Sequence, residues 1–587
     1  MTAAPLKPVD AVVIGMGWAG SIMASELVAA GLRVVGLERG ATRTTHADFV
    51  LPQVHDELRY ASHHELMQDL ARETITFRNC SDQLALPMRE YGSFLLGDGL
   101  GGAGTHWNGQ TFRFLPQDFR ARSFYAERYG QEFIPAGMNL QDWGVSYDEL
   151  EPHYDRFEYL CGISGRAGNI RGAIQPAGNP FEGPRARDYP NPPMKGSAAT
   201  ALFAAAAAAL GKHPFTSPSA NLSRAYTNPE GHDLNSCIIC GFCERFGCAM
   251  GAKASPHTTL LPALRRNPNF ELRSQAQVTR ILLDSTGKRA VGVRYLDAQG
   301  RSVEQPAELV LLCAFTFNNA RLLLLSGIGT PYDPRGGTGT VGRNFAYQVG
   351  GGATLWFDDR ILNVFMGAGA LGTVVDDEHG GIPDHAAAGF VGGATLNVYS
   401  SGLKPIQYRD IPPNVPAWGG AWKRWVAKYY NRTMSIGCRG SVMSYRDTYL
   451  DLDPTYRDVA GDPLLRLTFD WQDNELAISR HATAVIERIG TTLKPARLLA
   501  QAEQRPYSIA PYQSTHCTGG AVMGAEPPTS AVNRYLQSWD VPNLFVIGAS
   551  AFPQNSAYGP TGTVGALAYW AADAIRTRYL RSPGPLL

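Results

Sequence analysis

The stretch that most limits what this chain can fold into is Asp10 to Gly40, DAVVIGMGWAGSIMASELVAAGLRVVGLERG. An apolar run, Ala11 to Ile14, reads as a buried strand. Gly15, Gly17 and Gly20 follow in G-x-G-x-x-G spacing, with Trp18 among them. Ala19 to Ala30 has helical character and stops at Gly31. A second apolar run, Val34 to Leu37, ends in Glu38. Strand, glycine turn, helix, strand and terminal acid in this order predict a βαβ unit that holds a dinucleotide. Gly15 allows the tight turn, Gly17 lets the backbone approach a pyrophosphate, and Gly20 lets helix and strand pack closely. The helix N-terminus offers unpaired N–H groups to the phosphates. Glu38 is placed to accept hydrogen bonds from a ribose diol.

The chain has 587 residues, enough for about two to four domains. A net charge of +1 gives no electrostatic case for a nucleic-acid partner. No run approaches the ~20 apolar residues of a membrane span. The opening residues, MTAAPLKPVD, lack the succession of a secretory signal. The expected location is therefore cytoplasmic. The alternative is the periplasm, reached together with a signal-bearing partner.

Residues 236 to 256, SCIICGFCERFGCAMGAKASP, carry a second chemical signal. Cys237, Cys240, Cys243 and Cys248 have C-x2-C-x2-C-x4-C spacing. Clustering of this kind points to a metal rather than to disulfides. Zinc usually takes two separated cysteine pairs, so one compact run suits an iron–sulfur cluster better. Zinc and a set of free thiols are the alternatives.

The loop Gly97 to Arg113, GDGLGGAGTHWNGQTFR, has six glycines within thirteen residues. Its backbone can press against a flat or phosphorylated ligand. Taken with the N-terminal fingerprint, it resembles the second signature of the glucose–methanol–choline (GMC) oxidoreductases, which bind FAD. The resemblance implies that Gly101, Thr105, His106 and Asn108 lie at the flavin. The triplet Thr105-His106-Trp107 is similar to that of members whose histidine is bonded covalently to the flavin, so His106 is the implied anchor. It also implies a backbone contact from Val278 to the adenine. The cysteine run and VGRNFAYQ at 341–348 resemble the gluconate dehydrogenase group of that family. Relatives of that group carry an iron–sulfur cluster near the flavin, here [3Fe-4S] or [4Fe-4S]. The group also implies a small partner subunit and a cytochrome electron acceptor.

The segment from Pro511 to Leu580 carries the densest resemblance. Ala549 lies where the chain should pass the pyrophosphate. Thr561, Gly562 and Thr563 should open a helix facing the flavin. His516 matches the family's catalytic histidine in the Y-x-x-x-H-x-x-G-G pattern. An imidazole suits removal of a hydroxyl proton because its pKa lies near working pH. The family's second catalytic residue, an Asn or His before P-T-G-T, is here Gly559. Asn555, Ser556 and Tyr558 are the candidates to replace it. The other openings are a bulkier substrate, or a desaturation or isomerisation at the same flavin.

The expected fold class is α/β plus β. A Rossmann-like FAD-binding domain spans 1–115, 230–345 and 510–587. A discontinuous substrate domain, built on an antiparallel sheet, spans 116–229 and 346–509. Helices are expected near 65–72 and over 197–210, and a β-meander over 271–312. Trp422, Trp425 and Tyr429 share one helical face, read as core, with a lid or docking surface as the alternative. The expected activity is FAD-dependent oxidation of a hydroxyl of a sugar, sugar acid or related polyol, a small-molecule alcohol, with electrons leaving through the cluster.

Overall fold

The computed structural model describes residues 6–49, 61–89, 94, 96–511 and 515–586. Its organising layer is a seven-stranded sheet. Strand β1 (Val9–Ile14) leads into helix α1 (Trp18–Ala29) and strand β2 (Val34–Leu37). Residues Ala11 to Ile14 are almost fully buried, as a strand covered on both faces requires. Gly15 turns at φ +87°. A Cβ on Gly20 would stand 1.9 Å from the Gly15 carbonyl oxygen, so only glycine lets α1 leave the strand at this angle.

The meander expected over 271–312 divides. Phe270–Arg273 pairs parallel with β2 and joins the main sheet directly. Gln277–Leu283, Ala290–Leu296 and Ser302–Leu312 form the antiparallel part. The last of these strands does two jobs. Its first half pairs antiparallel with Gly292–Leu296. Its second half pairs parallel with β1 and with Leu544–Val546. The carboxyl ends of five chain segments far apart in sequence are thereby set side by side.

A six-stranded antiparallel sheet faces this layer. It runs in the order 497–502, 351–356, 433–440, 394–401, 367–375, 214–216. The amphipathic helix Asp473–Thr492 covers it through Val485, Ile486 and Ile489. The alanine-rich stretch forms the helix Ala198–Ala209 with Ser197 as its N-cap, and it packs on the same sheet. A four-stranded sheet joins Tyr449–Arg457 and Pro463–Thr468 to Ile75–Arg78 and Leu86–Pro87.

The helix expected near 65–72 is only a short 3-10 turn, His64–Leu66. Gln68 exchanges hydrogen bonds with Leu96, its N–H donating to the Leu96 carbonyl and its side chain accepting from the Leu96 N–H. That tertiary pairing interrupts the helical hydrogen bonding at Gln68, and the chain beyond it closes only a single turn, with the Arg72 and Glu73 N–H groups donating to the Asp69 carbonyl. On the helix Gly419–Tyr429, Trp425 lies tilted against Tyr429 at 4.3 Å and meets Trp356 edge-on at 5.8 Å. Of the three residues read as a core face only Tyr429 is buried; Trp422 and Trp425 are half-buried, so the face is partly covered rather than core. Trp418, before the helix, is 82% exposed.

The exit of the glycine-rich loop is fastened by a buried ion cluster. Arg113 donates to Glu158 at 2.8 Å twice and to Glu151 at 2.8 Å, and Arg185 pairs with the same Glu158. Glu158 sits on the helix Tyr147–Cys161, which packs on the C-terminal helix Thr561–Ala574. Burial pushes the Glu158 carboxyl up, but the two guanidinium charges outweigh it and hold it below the ordinary range. Its stabilisation is therefore present above the unfolded carboxylate pKa and is lost as pH falls through the folded value. Glu158→Gln leaves the buried Arg185 without its anion and Arg113 with Glu151 alone, and is expected to cost about 3–5 kcal/mol. The check is urea unfolding: the variant's midpoint falls at neutral pH, and the gap to the wild type narrows on acidification.

Candidate active site

The carboxyl ends of the parallel strands open on one cleft, where ligands bind in open α/β sheets. Ile14, Gly15, Leu37, Glu38, Cys313, Ile547 and Gly548 form its floor. Its far wall comes from the antiparallel layer through Arg439 and from the tail through His516 and Gly559. The space inside, mouth included, is about 1940 Å³.

The sequence-predicted residues gather here in large part. Gly15, Gly17, Trp18, Glu38, His106, Asn108, Val278, Ala549, Thr561 and His516 all line the cleft. Glu38 is held by N–H groups of Met16 and Gly40, each 3.0 Å away. Burial raises its pKa, and those two bonds oppose the rise. His106 is 5% exposed and its Nε2 has no hydrogen-bond partner. Burial first, then the Lys253 charge, lowers its pKa to about 3, so it is a neutral imidazole. Asn108 accepts from the Gln110 N–H at 3.0 Å.

The remaining predicted cofactor residues support the lining from behind. The Gly101 N–H donates to the Met16 carbonyl at 3.0 Å, and a Cβ there would press on Thr105 and His257. Thr105 turns its hydroxyl to the Leu100 carbonyl, 3.3 Å. A Cβ on Gly562 would stand 2.2 Å from the Phe112 carbonyl oxygen. Thr563 meets the Tyr154 hydroxyl at 2.6 Å on the back of its helix. Gly20 does the same work under α1.

His516 is oriented by a residue that sequence reasoning gave no role. Its Nδ1 lies 2.5 Å from Gln348 Oε1. The Gln348 amide nitrogen donates to the carbonyls of Ser556 (2.8 Å) and Tyr558 (2.6 Å). The amide oxygen is therefore the end that faces the imidazole, and Nδ1 must carry the proton. Nε2 is left as the basic nitrogen. Burial, then the positive charge of Arg439, depresses the His516 pKa well below its ordinary value and keeps the ring neutral. A Cβ on Gly559 would stand 3.5 Å from this Nε2. Tyr512, which opens the histidine pattern, lies outside the described residues.

The offered substitutes for the missing Asn or His stand elsewhere. Asn555 donates to the carbonyls of Tyr347 and His516, at 2.9 and 2.8 Å, and braces the backbone behind the imidazole. Tyr558 bonds Asp376, accepts from Asn179 at 3.1 Å and stacks on Phe112 at 4.5 Å. Ser556 donates to Asp118 at 2.8 Å. None of the three lines the cleft.

The four cysteines sit on one loop packed against the His106 segment. Arg245 donates its N–H to the His106 carbonyl at 2.8 Å. The buried Lys253 ammonium donates to the carbonyls of Trp107, Cys243 and Phe246 at 2.6–2.9 Å. Cys237 accepts from the Ile239 N–H, Cys243 from Asn221 and Cys248 from the Ala252 N–H, at 3.4–3.5 Å. Among the described residues, no group of three or more His, Cys, Asp or Glu side chains is arranged to hold a metal ion. No helix there is long and apolar enough to cross a membrane.

Sequence reasoning also missed Arg439 and Gln110, whose side chains bond each other in the cleft wall. Gln348 lies in the VGRNFAYQ run, so a signal for it existed; Arg439 carries no local motif.

These groups suit FAD. The turn before α1, bare at Gly15 and Gly17, can approach a pyrophosphate, and the Glu38 carboxylate can take a ribose diol. The partnerless Nε1 of Trp18 and Nε2 of His106 lie buried at the lining.

Comparison with known proteins agrees. Two family models described as GMC oxidoreductase match residues 220–349 and 444–568. The gluconate 2-dehydrogenase flavoprotein of Pantoea cypripedii is 50% identical over 99% of this chain and 96% of its own. The 2-methyl-1,2-propanediol dehydrogenase of Mycolicibacterium austroafricanum is 28% identical over 97% and 95%. The solved formate oxidase of Aspergillus oryzae superposes with a TM-score of 0.60 at 15% identity, over 99% of this chain and all of the other. The chain belongs to the GMC oxidoreductase family, FAD-dependent enzymes acting on CH–OH donors.

Proposed function

We propose that the protein is the flavin-bearing dehydrogenase component of an enzyme that oxidises a hydroxyl of a sugar, sugar acid or related polyol. The observation that carries this reading is the His516 imidazole, fixed by Gln348 with its basic nitrogen in the cleft. Nε2 takes the hydroxyl proton, and the carbon–oxygen bond becomes a carbonyl. FAD, when bound, accepts the hydride that leaves the carbinol carbon. Glu38 and the start of α1 hold the adenosine and pyrophosphate, and the wall strands exclude water. His106, neutral and with a partnerless nitrogen, is the residue to bond the flavin covalently.

Cys237, Cys240, Cys243 and Cys248 are the residues that would hold an iron–sulfur cluster, which supplies one-electron transfer. The N–H donors on three of the sulfurs suit thiolate ligands. The loop's attachment beside His106 suits a short electron path. The relative from Pantoea is itself named a flavoprotein, which supports a multi-subunit enzyme. A small subunit and a cytochrome acceptor fit that arrangement, and a signal-bearing small subunit would take the pair to the periplasm.

Gly559 supports a second reading, a desaturation or isomerisation in a reshaped pocket, because none of the three candidates, Asn555, Ser556 and Tyr558, lines the cleft. An anaerobic screen decides. Sugars, sugar acids or polyols should bleach the flavin of the wild type. His516→Ala should retain FAD and slow bleaching by about 10²–10⁴-fold. Unchanged bleaching removes His516 from the chemistry, and no bleaching by any alcohol favours the second reading.

Two further outcomes are expected. Acid-precipitated protein should stay yellow, and His106→Ala should release the colour to the supernatant. Purified holoprotein should contain iron and acid-labile sulfide, lost together on replacing Cys243 with Ser; zinc alone would exclude the cluster.

A further inference from the structure

The Gln348 amide sets the His516 ring, and the segment that sets Gln348 is fastened from outside the cleft. The two carbonyls that take the Gln348 amide protons belong to Ser556 and Tyr558, at 2.8 and 2.6 Å. Each of these residues sends its own side chain to a carboxyl. Ser556 donates to Asp118 at 2.8 Å, and Tyr558 donates to Asp376. Asp118 lies on the 3-10 turn Pro116–Arg120. Asp376 directly follows the strand Gly367–Val375 of the antiparallel layer. It is fully buried and takes two more hydrogen bonds, from Asn179 at 2.6 Å and Thr395 at 2.7 Å. The Tyr558 ring packs on Phe112 and on His379, each at 4.5 Å between centroids. Neither carboxyl lines the cleft.

A side-chain amide can turn over and offer either end to its neighbour. Turned over, Gln348 would present its nitrogen to Nδ1 of His516, and the ring proton would move to Nε2, the atom that must accept from substrate. The same turn would set the Gln348 oxygen against two carbonyl oxygens with no proton between them. The paired carbonyls therefore choose the productive orientation for as long as they keep their places. We propose that Asp376 is a positioning residue: through Tyr558 and Gln348 it keeps the His516 proton on Nδ1 and leaves Nε2 basic. Asp118 supports the second carbonyl in the same way through Ser556. Tyr558 is the stronger link, because its carbonyl makes the shorter bond and its neighbour Gly559 lies beside the imidazole. This rests on the dehydrogenase reading and places the control of its base in the antiparallel layer.

Tyr558→Phe keeps the ring contacts and cuts the bond to Asp376, whose carboxyl retains Asn179 and Thr395. The first readout is NMR of holoprotein labelled at its histidine ring nitrogens, with the His516 signals identified by their loss in His516→Ala. Wild type should show hydrogen on Nδ1 alone, and Tyr558→Phe should show it shared with Nε2. Asp376→Ala should behave like Tyr558→Phe. Asp376→Asn, which still offers an oxygen to Tyr558, should return the wild-type signals. The second readout is anaerobic flavin bleaching by gluconate. At saturation Tyr558→Phe should slow it about 10-fold and Gln348→Ala about 100-fold, with FAD retained. Adding Tyr558→Phe to Gln348→Ala should cost nothing further, because both changes break one chain of contacts. Unchanged ring signals in Tyr558→Phe, or losses that multiply in the double variant, overturn the proposal. The ring signals need no turnover. If gluconate fails to bleach the wild-type flavin, that result counts against the alcohol-oxidation reading, and the ring signals alone decide the positioning.

Discussion

The backbone pairing of Ser302–Leu312 is the constraint on which the rest depends. Its second half lies between β1 on one side and Leu544–Val546 on the other. Residues more than five hundred positions apart thereby become neighbours, and the loops after each strand fall at one crevice. The glycine turn, the Glu38 carboxylate and the tail bearing His516 have no other reason to meet. Burial of the strand on both faces makes this register hard to slip, since a one-residue shift would move polar Gln305 and Glu308 relative to every partner.

The local devices were legible in the sequence and the long-range ones were not. The βαβ unit could be read because turn, helix and strand are adjacent, and each glycine answers a contact a few residues away. The C-terminal helix opening at Thr561 was legible for the same reason. The helix expected near residue 65 failed because Gln68 bonds Leu96, a partner no local period reveals. Arg439 was invisible because it sits in an ordinary strand. Its meaning comes from its bond to Gln110 in the cleft wall, a partner far away in sequence. Gln348 stood within a noticed motif, yet its task appears only when the carbonyls of residues 556 and 558 are placed against it.

Lys253 shows how the fold settles an expensive group. A buried ammonium is costly unless its donors are satisfied, and three carbonyls from two loops meet that need. The same three bonds tie the cysteine loop to the segment carrying His106 and Trp107. The charge then reaches His106 and helps to keep that imidazole neutral. One side chain therefore joins the architecture of the cysteine loop to the protonation of the cleft.

The Gln348 amide has a mechanical consequence. Its nitrogen grips the backbone on either side of Ala557, two residues before the glycine beside the imidazole. The strap that shapes the pocket and the group that decides which ring atom holds hydrogen are thus parts of a single clamp. A displacement of that strap would loosen the clamp and let the proton migrate to the opposite ring nitrogen, so the contour of the cavity and the acid–base state of its histidine cannot drift independently.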